Sequence, residues 1–570
     1  MSIDQNQNLA SVFELIADLL ELLDENQFKI SAYRNSARIF QGLTKPIEDL
    51  LFSGELKNIT GIGKASIEKA KEYISTGKIS YLEELTKLVP LGLLELLKIK
   101  GLGPKKVKLL WKNLNITSLG ELEYACKENR LILLKGFGEK TQTNVLNYIE
   151  FLKKGSAKFL INKIFFEQSK FEEFLKSLNN ISLFSPIGIN RRFFEVYDSI
   201  NYLISSNNHK NLVNNFKNYF NDIIYSNSKI SAKLNDIVFN IYLTDNNSFY
   251  SNLFIKTGND NFLDNIKKYL KIKNIKINNE LFLHNEKVIN FKNEYDIFQI
   301  LDLPFIRPEL RDYPNFDEML KYDNLEKRID YSDLKGALHI HTTYSDGYNS
   351  IEEMVKNALE RGFEYIGICD HSQSAFYANG LNKERIFQQF SEIDTIQKKY
   401  PKIKILKGIE SDISKDGSLD YPDDVLKKFD FIIASIHSYF NLNYEDMTKR
   451  LVNAAQNKYT TIIGHPTGRL LLSRDSYKFD WDRLIQACKE NNTALELNSD
   501  EHRLDVPYEK ITNIVKNKVK IAINSDAHNI SSLDNLHYGI ALVNKALTYK
   551  DDILNTLSFN DFIKAINKHH

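Results

Sequence analysis

Leu338-His339-Ile340-His341-Thr342-Thr343-Tyr344-Ser345-Asp346-Gly347 is the stretch from which the rest of the chain is read. Residues i and i+2 of a strand share a face. His339 and His341 are therefore expected to aim both imidazoles at one point, with Asp346 returning from the turn that follows. One strand end then offers three side chains of the kind that hold a divalent cation. An H-x-H pair also occurs on strands without a metal, so the reading depends on what comes after it.

Five short apolar runs downstream end in a residue able to bind metal: Phe363 to Asp370-His371, Ile405 to Glu410, Phe429 to His437, Tyr459 to His465, and Val519 to Asp526-Ala527-His528. Each reads as a buried parallel strand, and helix-length amphipathic segments separate most of them. The first such helix has Ser350 and Glu353 as a capping box, a buried stripe of Ile351, Met354, Val355, Ala358 and Leu359, and Gly362 as its stop. Strands alternating with helices, with ligands at the C-terminal strand ends, predict a β/α barrel carrying its site at the top.

The phrases LHIHTTYSDG, ICDHSQS, GIESDI, ASIHS, GHPTGRL and NSDAH resemble the successive motifs of the PHP (polymerase and histidinol phosphatase) domain, in the form fused to bacterial family X DNA polymerases. The resemblance starts near Lys335 and runs to the C-terminus, and it implies a distorted (β/α)7 barrel. It also implies nine metal ligands: His339, His341, Asp346, His371, Glu410, His437, His465, Asp526 and His528. Within the family pattern His339, His341, Glu410 and Asp526 surround one ion. Glu410 bridges to a second held by His437 and His465, and Asp346, His371 and His528 hold a third. Nine nitrogen and oxygen ligands imply two to three divalent ions, and imidazole with carboxylate favours Zn²⁺ or Mn²⁺ over Mg²⁺. Glu410, as the bridging group, and Arg469, as a guanidinium suited to clamp a phosphate, are the expected catalytic residues. Ala337 stands where the family usually has Asp, a position outside the ligand set.

The chain has 570 residues, enough for several domains, and 75 Lys and Arg against 74 Asp and Glu give a net charge of +1. No global field marks a polyanionic partner, so nucleic-acid binding has to be local. Cys126, Cys369 and Cys488 are scattered without a C-x-x-C, which excludes a disulfide framework and a thiolate zinc site and points to a reducing cytoplasm. The first residues lack a basic stretch ahead of an apolar one, and Glu14, Asp18 and Glu21 interrupt the hydrophobic positions. Neither a signal peptide nor a membrane span is expected there.

Residues 1–90 read as helical, with Val12, Phe13, Ile16, Leu19, Leu20 and Leu23 at helical spacing. Three similar phrases then mark the N-terminal part: Ile59-Thr60-Gly61-Ile62-Gly63-Lys64, Ile99-Lys100-Gly101-Leu102-Gly103-Pro104-Lys105-Lys106, and Leu134-Lys135-Gly136-Phe137-Gly138-Glu139-Lys140. They resemble helix-hairpin-helix motifs. Glycines let such a backbone approach a phosphate, the next helix start donates N–H groups to it, and Lys64, Lys105 and Lys106 add charge. Glu139 weakens the third copy for that purpose.

From about 156 to 310 the pattern changes to alternating strands and helices. Gly188-Ile189-Asn190-Arg191-Arg192, Thr257-Gly258-Asn259 and the run from Leu301 to Arg311 resemble the polymerase core of the family X enzymes, which implies a polymerase-beta-like nucleotidyltransferase palm. Laid on that pattern, the two Asp of the D-x-D motif fall at Ser199 and Asn201 and the third catalytic Asp at Asn240. Phe193 replaces the family's Gly after Arg-Arg, and Asn259 its Ser after Thr-Gly. Ser and Asn are neutral where two Mg²⁺ need anionic oxygens, so the polymerase site is expected to be dead and the domain to persist as a DNA platform.

The expected organisation is multidomain α+β and α/β: a helical DNA-binding domain over 1–90, a second helix-hairpin-helix region over 91–155, the degenerate palm and thumb-like region over 156–310, a charged solvated linker over 311–333, and the barrel over 334–570. The expected activity is metal-dependent 3′-5′ cleavage of DNA at gaps, single-stranded 3′ ends or abasic sites by a monomer with no membrane partner. Two alternatives are an active gap-filling polymerase with a proofreading barrel, and a hydrolase of small phosphate esters.

Overall fold

Three glycine turns shape the N-terminal unit of the computed structural model, residues Met1–Phe151. The structure describes residues 4–43, 45–99, 101–153, 158–226, 228–323 and 325–567. Lys100 of the second hairpin phrase, and the boundary expected at 155, lie outside them. Gly61, Gly101 and Gly136 have φ of +98°, +93° and +92°, a region that side-chain-bearing residues avoid. Each turn leads within three residues into a helix: α1 (Lys64–Thr76), α2 (Pro104–Leu114) and α3 (Glu139–Lys153). Pro104 occupies the first position of its helix, where its missing N–H is no loss. Leu9, Phe13, Ile16, Phe40, Leu93, Leu110, Leu122 and Ile149 share one core. The boundary expected at 90 therefore divides two hairpin pairs that are packed together.

The second unit, Leu152–His570, begins with a five-stranded sheet. Its strands are β1 (Leu183–Pro186), β2 (Ser199–Ser205), β3 (Ile223–Ser226), β4 (Lys229–Leu234) and β5 (Ile237–Thr244), in the order β1-β2-β5-β4-β3. β2 and β5 run parallel at the centre, and the outer pairs are antiparallel. Phe171, Tyr202, Phe216, Phe220 and Phe239 pack beneath it with ring centroids 5.0 to 6.2 Å apart. A separate core of Phe254, Phe262, Phe282 and Phe298 follows, between helices and a short hairpin.

The stretch 311–333 keeps most of its charges on a solvated face, with Asp317, Lys321, Asp323, Glu326, Lys327 and Arg328 exposed, but other side chains anchor it. Phe316, Met319 and Leu325 are buried, and Arg311 is almost completely so. Glu294 lies 2.6 Å from Arg311 and 2.7 Å from Arg191, while Asp312 meets Arg192 and Lys545 at 2.9 Å each. Asp312 thus has partners more than a hundred residues away on either side, invisible to a local reading, whereas Arg311 pairs with Glu294 only 17 residues before it.

Seven parallel strands form the C-terminal barrel in sequence order: β6 (Gly336–Ile340), β7 (Tyr365–Ile368), β8 (Lys404–Asp412), β9 (Phe431–Ser435), β10 (Ile462–Ile463), β11 (Ala494–Asn498) and β12 (Ile521–Asn524). Hydrogen bonds from His341 N to Ala527 O (2.9 Å) and Ala527 N to His339 O (3.1 Å) join the first strand to the last at their C-terminal ends. β11 is the strand that the sequence reading did not pick out. The Ser350–Glu353 capping box forms as expected at the start of helix α4 (Ile351–Glu360). All three cysteines are buried, and none is in a disulfide among the described residues. Among the described residues no helix is long and apolar enough to cross a membrane.

The pairing of Glu294 can be tested for its weight in the fold. Burial opposes its charge, but Arg311 and Arg191 outweigh burial and hold its carboxyl below the usual range. That contribution is therefore complete above the unfolded carboxylate value and fades as pH falls through the lowered one. Glu294→Ala leaves two guanidinium groups facing each other without a counter-charge. It should cost about 3–5 kcal/mol at neutral pH, read as a fall in the urea midpoint, and less in acid.

Candidate metal centre

β6 delivers its two histidines by an irregularity. Its register against β7 shifts between Ala337 and Ile340, so three steps on one strand match two on the other. His339 sits in this bulge at φ +55°, and His341 lies just past the strand end. The plain i, i+2 geometry expected from H-x-H is therefore replaced by a bulge, yet the rings end 5.3 Å apart. His465 (φ +26°) and Asp526 (φ +50°) are also left-handed. Such backbone costs about 1–3 kcal/mol per residue and persists only where the surroundings enforce it.

All nine side chains singled out from the sequence converge at this end of the barrel, and all are buried. Glu410, at the top of β8, is the hub. Its Oε1 lies 3.0 Å from His465 Nε2 and 3.3 Å from both His339 Nε2 and His437 Nε2. Its Oε2 lies 2.8 Å from His371 Nδ1 and 3.6 Å from His341 Nε2. Asp526 Oδ1 approaches His341 Nε2 at 3.1 Å and His339 Nε2 at 3.3 Å. Asp346 stands 3.3 Å from His528 and 3.5 Å from His371. Three compact groups of possible ligand atoms result: His339, His341 and Asp526; His371, Glu410 and His437; and His341, Asp346, His371 and His528. These clusters could hold metal. They overlap the partition implied by the family pattern, with His371 rather than His465 grouped beside Glu410 and His437.

A second layer orients the imidazoles. His339 Nδ1 lies 2.5 Å from Glu496 Oε1, His437 Nδ1 2.5 Å from Asp412 Oδ1, and His528 Nδ1 2.9 Å from the Asp526 carbonyl. An outer acceptor of this kind fixes the tautomer of a metal-binding histidine and leaves its other nitrogen lone pair facing inward. Asn498 donates to Asp526 Oδ2 at 3.0 Å and Asn524 to Glu496 at 2.8 Å. Asp370 accepts from Thr342 N and Oγ1, both at 2.7 Å, and from Gln389, fixing the turn that carries Asp346. The sequence reading missed Glu496 and these supports. A single carboxylate inside the apolar run Ala494-Leu495-Glu496-Leu497 was the available signal, since a buried charge requires a partner.

The donor set fits divalent cations. His339 Nε2 and Glu410 Oε2 are buried and make no hydrogen bond among the described residues, although oppositely charged groups stand within 3.3 Å and 2.8 Å. Their lone pairs converge instead of pairing. Burial works against charge on His339 and His371, but neighbouring carboxylates outweigh it and lift both well above the ordinary imidazole value. His341 is pushed down to about 3 by burial and by its neighbours His528 and His371, and His465 to about 4 by burial and Arg503. Protons on His339 and His371 thus occupy the electrostatic role that cations would take.

Arg469 lies elsewhere than its expected role as phosphate clamp requires. Its Nε donates to the Arg503 carbonyl at 2.9 Å, and one terminal nitrogen donates to the Leu504 carbonyl and to Glu195 Oε1 at 2.6 Å. A guanidinium so engaged ties loops together. Arg503 is the guanidinium beside the centre, with Nε 3.7 Å from Asp526 Oδ2.

In the five-stranded sheet, Asn201 and Asn240 are register partners on β2 and β5, and Ser199 lies one pleat away on the same face. Asn240 Nδ2 donates to Asn201 Oδ1 at 3.0 Å, and Asn201 Nδ2 to Ser199 Oγ at 3.1 Å and Asn190 Oδ1 at 2.9 Å. Ser199 Oγ in turn donates to the Asp198 carboxylate at 2.7 Å, so the network ends on one anionic oxygen, while its Ser and Asn groups are themselves neutral where Mg²⁺ prefers anionic oxygen. Phe193 is left-handed at φ +56°, consistent with a position where a glycine would be at ease.

In the helical unit, an added Cβ would meet nothing within 4 Å at Gly63, Gly101, Gly103, Gly136 or Gly138, so these hairpin faces are open. Lys64 starts α1, and Lys105 is largely exposed, 4.0 Å from Glu21. Lys106 instead donates to the Gly101 carbonyl at 3.1 Å and lies over the Phe137 ring, bracing two hairpins. The third turn has the same backbone as the second despite Glu139.

Comparison with known families matches a helix-hairpin-helix domain at residues 4–79, a SAM-like helix-hairpin-helix tandem at 93–147, a DNA polymerase beta thumb at 252–312 and a PHP domain at 337–500. A Bacillus subtilis protein named DNA polymerase/3′-5′ exonuclease PolX is 34% identical over 563 residues, covering 97% of this chain and 98% of that protein. A protein of Caldanaerobacter subterraneus named as a probable phosphatase is 31% identical over 229 residues, 38% of this chain and 85% of its own length. Another, from Thermoanaerobacter sp., is 30% identical over 236 residues, 39% of this chain and 91% of its own.

Cation entry has to displace the protons that carboxylates hold on His339 and His371. Mn²⁺ titrated calorimetrically in two buffers of different ionisation enthalpy should therefore release protons, and affinity should rise with pH above the ordinary imidazole value of about 6.5. Glu496→Gln should weaken Mn²⁺ binding by about 10–100-fold.

Proposed function

The chain belongs to the bacterial family X DNA polymerases that end in a PHP domain, and from that premise we propose that it is a metal-dependent DNA phosphoesterase whose polymerase core no longer transfers nucleotides. The opposite state of the two charge centres carries this reading. Six imidazoles and three carboxylates crowd the barrel end, while Ser199, Asn201 and Asn240 hydrogen-bond to one another where three carboxylates would stand. Cleavage proceeds from the 3′ end, with gapped DNA, single-stranded ends and abasic sites as substrates.

His339, His341, Asp346, His371, Glu410, His437, His465, Asp526 and His528 would hold two to three ions, Zn²⁺ or Mn²⁺. Bound there, such ions acidify water for attack on phosphorus and neutralise the phosphate oxygens. Glu410 would be central to holding the ions, since among the described residues it is the carboxylate with five histidines within 3.6 Å. Glu496 and Asp412 stand against the outer nitrogens of His339 and His437 and so aim the inward ones at the centre. Buried Arg503 places positive charge at the edge of the centre, where a substrate phosphate would gain from it. In the helical unit Gly61, Gly63, Lys64, Gly101, Gly103 and Lys105 hold the DNA backbone without reading its sequence, and Lys106 supports the second turn.

A second reading, hydrolysis of small phosphate esters, draws on the relatives named as probable phosphatases, which match the barrel portion of the chain. The hairpin unit favours the polymer. Turnover of a generic phosphomonoester against that of oligonucleotides separates the two.

On a 5′-labelled oligonucleotide with Mn²⁺, the purified protein should shorten the strand from its 3′ end. The double substitution His339→Ala with His341→Ala should reduce this at least about 100-fold; retained hydrolysis refutes the assignment. Primer extension with dNTPs and Mn²⁺ should yield no product, and template-directed incorporation would overturn the polymerase half of the reading.

A further inference from the structure

The loop 499–505, between β11 and the next helix, folds back over the barrel end. Asn498 and Asp505 exchange backbone hydrogen bonds at its base, and Arg503 N and Leu504 N both reach the Asp500 carbonyl at 2.9 Å. Leu504 is buried and left-handed at φ +42°, a strained state for a residue with a bulky side chain. From this loop and its base two groups reach Asp526: Asn498 Nδ2 at 3.0 Å and Arg503 Nε at 3.7 Å from the same Oδ2.

Several contacts hold this loop from outside: Leu471 N donates to the His502 carbonyl, Thr467 N to Asp505, and Asn162 and Asn535 to Glu501, and at the turn of Leu504 a guanidinium adds its grip. Arg469 binds the carbonyls of Arg503 and Leu504, and the same guanidinium is paired with Glu195 at 2.6 Å. Glu195 belongs to the five-stranded domain, 274 residues away in sequence. Both side chains are largely buried, 12% exposed for Arg469 and 15% for Glu195. A guanidinium buried without its carboxylate is unfavourable by several kcal/mol and moves toward water if it can. Removing Glu195 therefore releases the two carbonyls as well as the ion pair.

We propose that Glu195 is a positioning residue for the metal centre: through Arg469 it fixes the turn at Leu504, and so keeps Arg503 and Asn498 set against Asp526. The palm-like domain then contributes a constraint to hydrolysis even though its own carboxylates are gone. This rests on the phosphoesterase reading above, and it concerns Glu195 and Arg469, which that reading places on neither metal nor substrate.

The test uses the full chain. Glu195→Ala, the milder Glu195→Gln, and Phe165→Ala are compared by calorimetric Mn²⁺ titration and by steady-state hydrolysis of a labelled single-stranded oligonucleotide. Phe165 meets Tyr538 of the barrel domain at 5.6 Å, and so probes contact between the same two domains without touching Arg469. Glu195→Ala should lower both Mn²⁺ affinity and kcat about ten-fold with KM for the oligonucleotide within two-fold of wild type. Glu195→Gln should fall between, and Phe165→Ala should change neither affinity nor kcat. Glu195→Ala equal to wild type in both readouts overturns the coupling, as does Phe165→Ala reproducing the full loss. Wild-type protein lacking Mn²⁺-dependent hydrolysis instead overturns the phosphoesterase reading itself.

Discussion

One buried carboxylate surrounded by five imidazoles sets the terms for the C-terminal domain. Glu410 is within 3.6 Å of His339, His341, His371, His437 and His465, each from a different part of the barrel rim or its first strand. Such a set cannot be assembled by local sequence. It requires parallel strands ending at one level, and closure of the first strand onto the last through Ala527. The left-handed backbone at His339, His465 and Asp526 is the local cost of aiming those groups inward, and strand pairing and second-layer hydrogen bonds hold it in place.

What could be read from the sequence follows the range of the interactions. The six ligand-bearing strand ends were legible because each carries its signal within a few residues: an apolar run, then a ligand. Helix α4 was legible for the same reason, its cap and stripe being local. β11 was missed because its ligand-supporting residue, Glu496, interrupts an apolar run and finds its partner in His339, 157 residues earlier. The bulge at His339 was hidden because a bulge is a property of two strands and only one was in view. Arg469 was misread because a guanidinium suits a phosphate, a carboxylate and a pair of carbonyls equally well. Its surroundings decide among them. The connector was legible in part: most of its charges are solvated, while Asp312 faces Arg192 and Lys545.

The five-stranded domain has its core apart from Ser199, Asn201 and Asn240. An aromatic layer packs under the sheet, and ion pairs at its margins fix it to neighbouring segments. Ser199, Asn201 and Asn240 are linked by hydrogen bonds that span β2 and β5, where Asn201 and Asn240 are register partners, and the series ends on the Asp198 carboxylate. Amide and hydroxyl groups pair in this way without a cation between them.

The charges that the domain has kept point outward to its neighbours. Arg191 meets Glu294, Arg192 meets Asp312, and Glu195 meets Arg469, so one short segment of the palm links both the thumb-like region and the barrel. Buried ion pairs add little net stability against apolar alternatives, but breaking one by removing a partner is severe, which makes them devices for fixing relative position. A domain held by such pairs is suited to place groups for a centre it does not contain. The strained turn at Leu504, gripped by a guanidinium whose counter-charge comes from the palm, is where that placement reaches the imidazole–carboxylate cluster.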